Sequence, residues 1–434
     1  MDKSLKILYH GVMLSLVAKL RQSEGLKHSA LTIFSYSFAA GFSALAIILI
    51  SRLLGPIYFA DLSVAFSLSL ILNRLNDFGL GIVIQKYVGG EWRHHKINKY
   101  LSLILKYRLI LSIVISLFGL IFSGHIAAYL QISNPLLIPL TFITSLPVTY
   151  FESAQITLQS LAKFKLAAYN YLLPSIIKFI MALIVFYLKI TNIELILSIY
   201  LLSTLPSLII AELFKPKWIK YQFEQLFLKE KSKIISLLQH SAFAMIAMGI
   251  IDNIDILFAK HYLSAYETGI LAGVNRIAML LYVVAYALAN VLNPRVANYK
   301  KITHFNAFLK KSIGIVALAV LGFFLSLPFS PLLIHWTIGP QYVAGNEILV
   351  VLLAAGFLSI ASIPFVATFY AFKNNSYFST SAAIQLIIIF IGNFYFLPKI
   401  GLAASVYTKL ISKVALLLFT WIMLWKNYKK EFKI

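Results

Sequence analysis

Residues 31–72 read LTIFSYSFAAGFSALAIILISRLLGPIYFADLSVAFSLSLIL. From Leu31 to Ile50 there is no charged side chain, and beyond Pro56 the only one is Asp61. About 20 apolar residues carry an α-helix across about 30 Å of hydrocarbon, so this stretch holds two crossings. Ser51-Arg52 interrupts the first, and Gly55-Pro56 opens the second.

The rest of the chain repeats the pattern. Of 434 residues, 60% are hydrophobic and 12% charged, with a mean hydropathy of +0.85. Soluble domains carry about 25% charged residues, so most of this chain has lipid as its solvent. The same window places spans at 29–50, 56–73, 102–123, 136–159, 167–188, 193–212, 238–259, 269–291, 312–333, 347–371, 376–397 and 401–425, here spans 1 to 12. Asn73–Tyr100 is mixed and amphipathic, which predicts a segment lying along the interface. Residues 1–27 carry Lys3, Lys6, Lys19, Arg21 and Lys27, with Leu5, Leu8, Val12, Leu16 and Leu20 at helical spacing. That reads as a surface helix or a frayed tail, not a cleaved secretory signal.

Loop charge tests this map. The net charge is +23, which on a soluble protein would suggest nucleic acid. Here most of the 38 basic residues fall in the two terminal segments and the 2–3, 4–5, 6–7, 8–9 and 10–11 loops, including Arg74 and Arg108. The opposite loops hold Arg52, Lys189, Lys260 and Lys399. Positively charged loops stay inside, so both termini are expected in the cytoplasm of a bacterial inner membrane, and no nucleic acid is implied. Phe214–Ser236 is the longest hydrophilic stretch and divides the spans six and six. Arg52–Pro56 opens span 2 as His261–Ala265 opens span 8, at the offset that separates spans 1 and 7. The expected fold is therefore an all-α polytopic protein of twelve transmembrane helices, in two six-helix lobes related by a parallel repeat, with a cavity between them. Its units are an amphipathic segment at 1–28, lobes at 29–213 and 237–425, a linker at 214–236 and a tail at 426–434.

Charges inside spans cost a few kcal/mol each and need a reason. Lys178 lies near the middle of span 5, Arg276 in span 8, and Lys409 and Lys413 one helical turn apart in span 12. They are expected to line a water-filled cationic cavity; snorkelling to the interface is the bland alternative. Arg52, at the outer end of spans 1 and 2, reads equally as an interface anchor. Asp61, Glu152, Asp252 and Asp255 are read either as groups coupled to a proton or sodium gradient or as counter-ions of the buried bases. His94-His95 reads as a solvated pair. There are no cysteines, no phosphate-cradling GxxxxGK[ST] and no HExxH, so no bound cofactor or metal is expected.

Several stretches resemble one family. Ser51–Ala60 is similar to the opening of span 2 in polysaccharide flippases of the O-antigen (Wzx) type, members of the multidrug/oligosaccharidyl-lipid/polysaccharide exporter superfamily. Asn76-Asp77-Phe78-Gly79-Leu80, Asn253–Leu257, Tyr266–Gly269, Gly273–Ile277, Asn293–Arg295, Gly339–Ala344 and Pro398–Ala404 resemble its later segments in order. The resemblance implies an undecaprenyl-pyrophosphate-linked oligosaccharide as cargo, flipped by alternating access. It also implies membrane lipids, a polysaccharide polymerase and chain-length proteins as partners. Related lipid II flippases use cavity arginines, and Arg52 and Arg276 match those positions, which moves Arg52 into the expected cavity set. Twelve spans instead of the fourteen of those flippases favour a polysaccharide repeat unit. The rivals are a cation-coupled multidrug exporter, which would call for an acidic binding face, and a major-facilitator carrier, whose 2–3 loop signature is missing. A membrane polymerase or glycosyltransferase would need larger outer loops.

Overall fold

The structure is a computed structural model, and it describes residues 24–89, 91, 93–219, 228–297, 302–372 and 376–431. Nearly all of the expected amphipathic segment, together with Trp92, Lys220, Lys300, Lys301, Lys373 and Lys433, lies outside the described residues.

All regular elements among the described residues are helical. In lipid, backbone groups have no water to turn to, and a helix satisfies them within one segment. The first half comprises α1 (Glu24–Asp77), α2 (Leu80–Tyr87), α3 (His94–Ile121), α4 (Ser123–Tyr129), α5 (Leu137–Ser160), α6 (Phe164–Tyr187), α7 (Ile193–Leu202) and α8 (Leu205–Phe214). The second comprises α9 (Leu228–Tyr262), α10 (Ala265–Ala297), α11 (Ile302–Ser326), α12 (Ser330–Trp336), a 3-10 turn at Pro340–Gly345, α13 (Asn346–Ala371), α14 (Ser376–Ile400) and α15 (Leu402–Glu431).

Within α1 the chain reverses at Gly55, whose φ of +69° suits glycine alone among common residues. Contacts on the two arms show the reversal. The Tyr36 ring packs at a tilt against Tyr171 early in α6, and Arg74 lies beside Glu152 late in α5. Asp61, between them in sequence, instead accepts from the Ser133 amide ahead of α5. Tyr36 and Arg74 therefore share one end of the bundle, and Asp61 marks the other. Tyr428 of α15 bonds Asn306 at the start of α11, Asn427 bonds Tyr377 at the start of α14, and Tyr370, packed on Phe378 beside Tyr377, shares Tyr286 as an electrostatic neighbour with Tyr36. We call this the terminal end, and the opposite one the far end.

Ten helical stretches among the described residues are long and apolar enough to cross a membrane. One of them, Phe34–Asp77, has 44 residues and holds the Gly55 reversal. Reading it as two crossings and adding α5 gives twelve. Helix α5 falls short on hydropathy because it is polar inside the bundle. Thr141, Thr144, Ser145, Thr149 and Ser153 are buried and return their hydroxyls to carbonyls three or four residues back. Helices α1, α3, α6, α7 and α8 surround it, so neighbouring protein takes the place of lipid on several sides.

The same pairing recurs in both halves. Helix α5 packs on α3 and α7/α8 as α13 packs on α11 and α15, and the first arm of α1 packs on α6 as α9 packs on α14. Three boundaries differ from expectation. Helix α9 starts at Leu228, inside the expected linker, and α11 ends at Ser326 with α12 following as a separate short helix. The expected interfacial segment includes α2, whose Leu80, Val83 and Ile84 are buried between α3 and α5.

The two halves share a core at the far end. One apolar cluster joins Ile50, Phe59 and Phe66 of the first half to Ile256, Ile270 and Ile277 of the second. At the terminal end, Val296, Phe305, Phe369 and Leu424 form a cluster of the second half alone.

Candidate functional site

The far end is closed by backbone-level contacts. A Cβ on Gly269 would stand 1.9 Å from the Pro56 carbonyl oxygen, so α10 approaches α1 more closely than any other residue would permit. The Tyr342 hydroxyl donates to the Ser51 carbonyl at 3.0 Å, and the Gln341 amide donates to the Arg52 carbonyl at 3.0 Å. Below these, Lys260 of α9 pairs with Asp61 of α1 at 2.6 Å, both buried. This ion pair is the deepest charged link between the halves among the described residues.

Toward the middle, two cations lack such partners. Arg276 is half-buried on α10, with its guanidinium 6.0 Å from the Phe66 ring and Nη1 3.5 Å from Met279 Sδ. Its Nε is buried with no hydrogen-bond partner. Lys178 of α6 is half-buried, with Nζ 4.3 Å over the Tyr200 ring of α7. Phe66 and Tyr200 lie against each other with ring centres 4.5 Å apart and planes tilted by 43°. The order from the second half into the first is Arg276, Phe66, Tyr200, Lys178, and among the described residues no carboxylate lies within ion-pair distance of either cation. Ring faces attract the cations, while Glu152 acts on Lys178 and Asp255 on Arg276 only from beyond ion-pair distance.

On the terminal side of this array the halves are less tightly joined and more polar. Arg74 packs its stem over Gly249 of α9, and its guanidinium lies 3.8 Å from Glu152. Both side chains keep about a third of their surface open, 39% and 31%. Asp252 is one turn beyond Gly249 on the same face, exposed, and within electrostatic range of Arg74. Tyr286 of α10 is exposed and within electrostatic range of Tyr36, whose hydroxyl accepts from the Gln159 amide at 2.8 Å. Acid, base, amide and phenol groups from both halves thus face a common opening.

The remaining expected residues fall elsewhere. Lys409 was expected in the cationic cavity; instead it is buried within the second half, with Nζ 2.7 Å from Asp255 and 3.5 Å from the Asn275 amide oxygen. A buried ammonium is stable only with a counter-charge, and Asp255 supplies it. Lys413 is likewise buried, bonded to Gln385 at 3.2 Å and 5.6 Å over Tyr282. Arg52 stands exposed at the far rim, with Nη1 3.5 Å from the Trp336 carbonyl and away from the midline array. Of the four acids, Asp61 and Asp255 take lysines as partners, Glu152 takes Arg74, and Asp252 alone is exposed.

Sequence reasoning missed three groups. Arg74 and Arg108 fell among loop charges, yet Arg74 faces the opening and Arg108 is fully buried against Asp77. Lys260 fell in an outer loop, yet it joins the halves. The readable signal was the long helical run past Asn73, which carries Arg74 and Asp77 on span 2 itself. His94, read as solvated, stacks on Trp218 at 3.9 Å. Among the described residues no group of three His, Cys, Asp or Glu is placed to hold a metal.

A family model described as polysaccharide biosynthesis protein matches residues 26–300. No curated protein matches the sequence. Among solved structures, the lipid II flippase MurJ in an inward closed conformation is similar with a TM-score of 0.74 at 15% identity, over 94% of this chain and 90% of that one. An inward-facing multidrug resistance MATE family transporter of the MOP superfamily gives 0.73 at 14%, over 90% and 96%. A MOP superfamily transporter from Pyrococcus furiosus, described as having a binding pocket of reverse polarity, gives 0.63 at 13%, over 95% and 98%. At such identities the likeness shows a shared fold.

Proposed function

The chain belongs to the polysaccharide biosynthesis protein family, and on that premise we propose that it is a flippase for an undecaprenyl-pyrophosphate-linked oligosaccharide, an O-antigen or similar repeat unit. It carries this cargo from the cytoplasmic to the periplasmic leaflet of the bacterial inner membrane by alternating access, with both termini in the cytoplasm. The observation that carries the reading is the pair of cations with no ion-pair partner among the described residues, Lys178 of the first half and Arg276 of the second, on either side of the tilted Phe66–Tyr200 ring pair.

The cargo has three parts with different solvents. Its pyrophosphate needs counter-charge at depth, its glycan needs water or polar walls, and its polyprenyl tail is at home in lipid. Stranding the polar parts in hydrocarbon costs several kcal/mol per group. Lys178 and Arg276 supply charge-assisted hydrogen bonds to phosphate oxygens, and binding relieves the cost of holding two unpaired charges at that depth. The opening lined by Arg74, Glu152, Asp252 and Tyr286 gives the glycan donors and acceptors of both kinds. Asp61 and Asp255 serve as counter-ions, which leaves Asp252 and Glu152 as the acids available to sense a proton or sodium gradient. The protein acts as a transporter and not as an enzyme, and it hands its cargo to a polysaccharide polymerase and chain-length proteins.

A multidrug exporter of cationic compounds is the rival on the same fold, and its cargo would meet Arg276 and Lys178 with like charge. The test is glycan display. Arg276→Ala and Lys178→Ala should each reduce surface polysaccharide at least tenfold at unchanged membrane level, with lipid-linked repeat units accumulating on the cytoplasmic face. Normal display in both variants refutes the reading, and loss of cationic dye efflux on deletion would favour the rival.

A further inference from the structure

Helices α10 and α11 leave a cavity of about 460 Å3 at the terminal end of the second half. Its walls carry Arg295, His304 and Lys311, and its floor Leu292, Phe308 and Ile315. Among the described residues no carboxylate lines it. Arg295 stands in the last turn of α10 and Lys311 in the third turn of α11. Both are exposed, and neither has an ion-pair or hydrogen-bond partner among the described residues. The cavity belongs to a different face from the midline site. Tyr286 faces the opening between the halves, and Arg295 follows it by about two and a half turns at 3.6 residues per turn, on the opposite side of α10. Farther along α11, Leu318, Leu321 and Leu325 are exposed and apolar, and Leu318 and Leu325 follow Lys311 by about two and about four turns on its own face.

We propose that this cavity seats the headgroup of an anionic phospholipid, its phosphate between Arg295 and Lys311 and its acyl chains along the exposed face of α11. Basic residues at a helix end would set topology without any enclosure. The distinguishing feature is a half-open hollow in the size range of small-ligand sites, with two cations beside apolar side chains at the terminal end of the helices. That combination matches a lipid with a charged head and a hydrocarbon body, and basic pockets between membrane helices hold such heads. The proposal does not rest on the cargo reading, since none of these residues lines the midline array.

The test is native mass spectrometry of the full-length protein titrated with phosphatidylglycerol or phosphatidylcholine. Wild type should retain phosphatidylglycerol over phosphatidylcholine, and Arg295→Gln with Lys311→Gln should lower phosphatidylglycerol occupancy at least fivefold with phosphatidylcholine unchanged. Both side chains are exposed, so the core is untouched; Lys311→Glu is a second variant that should bind less still. A control with the same charge change, Lys310→Gln with Lys163→Gln, should bind as wild type. Equal loss in that control would mean diffuse attraction and overturn the site, as would undiminished binding by the cavity variants. Excess inorganic phosphate should leave the lipid bound; full displacement by it would assign the cavity to free anions instead.

Discussion

Lys409 and Lys178 are both lysines inside membrane helices, yet they sit in opposite electrostatic circumstances. Lys409 has Asp255 at 2.7 Å and an amide oxygen behind it. Lys178 has the face of Tyr200 at 4.3 Å, with Glu152 only at long range and no carboxylate within ion-pair distance among the described residues. A buried charge with its partner is part of the structure; one without a partner is a standing cost that only a ligand relieves. The difference assigns Lys409 to the framework of the second half, and it is the ground on which the proposed function gives Lys178 and Arg276 to the cargo.

The largest effect is expected from removing the partner. Asp255→Asn leaves the Lys409 ammonium buried and uncompensated, a loss of about 3–5 kcal/mol for a broken buried pair. The purified variant should show a sharply lower unfolding midpoint or fail to accumulate, and adding Lys409→Met should recover most of the loss. A wild-type midpoint for Asp255→Asn alone would erase the distinction. Lys178→Met should move stability the other way. Deleting an unpaired charge at depth should raise the midpoint, by about 1–2 kcal/mol on the scale of intramembrane charges, while glycan display falls. A destabilised Lys178→Met would mean that the ammonium has a structural partner after all.

This distinction was half legible in the sequence. The fold was readable because lipid leaves so few choices: apolar runs of about 20 residues, loop charges that alternate, and Gly55-Pro56 where the chain turns back. Lys178 and Arg276 were readable as buried bases because their flanks are apolar on both sides. Pairing was not readable. Asp255 and Lys409 are 154 positions apart, and only packing of α9 on α15 brings them together. Arg74 was hidden for a different reason. A charge just past an apolar run looks like a loop charge, and the helix that continues to Asp77 has no local stop signal before Phe78-Gly79. The polar helix α5 was found as a span, but its role at the centre of the first half depends on neighbours that hydropathy does not see.

Asp61 and Lys260 form an intermediate case, because their pair bridges the two halves at the closed far end. Breaking it should therefore change the balance of conformations more than the integrity of either half. The chain has no cysteine, so Ser51→Cys, buried at the far-end contact, is a clean reporter of opening. Asp61→Asn in that background should speed thiol labelling more than tenfold, since the closed state then holds a lone Lys260 charge that the open state exposes to water. Tyr342→Phe deletes one hydrogen bond to the Ser51 carbonyl, worth about 1 kcal/mol, and should speed labelling about fivefold, the smallest change in the series. The ordering carries the argument: charge pair first, neutral hydrogen bond second, both acting on the same opening. If Tyr342→Phe opened the far end as much as Asp61→Asn, the ion pair would not be what holds the halves together, and the dry packing of Gly269 on Pro56 would have to carry that task.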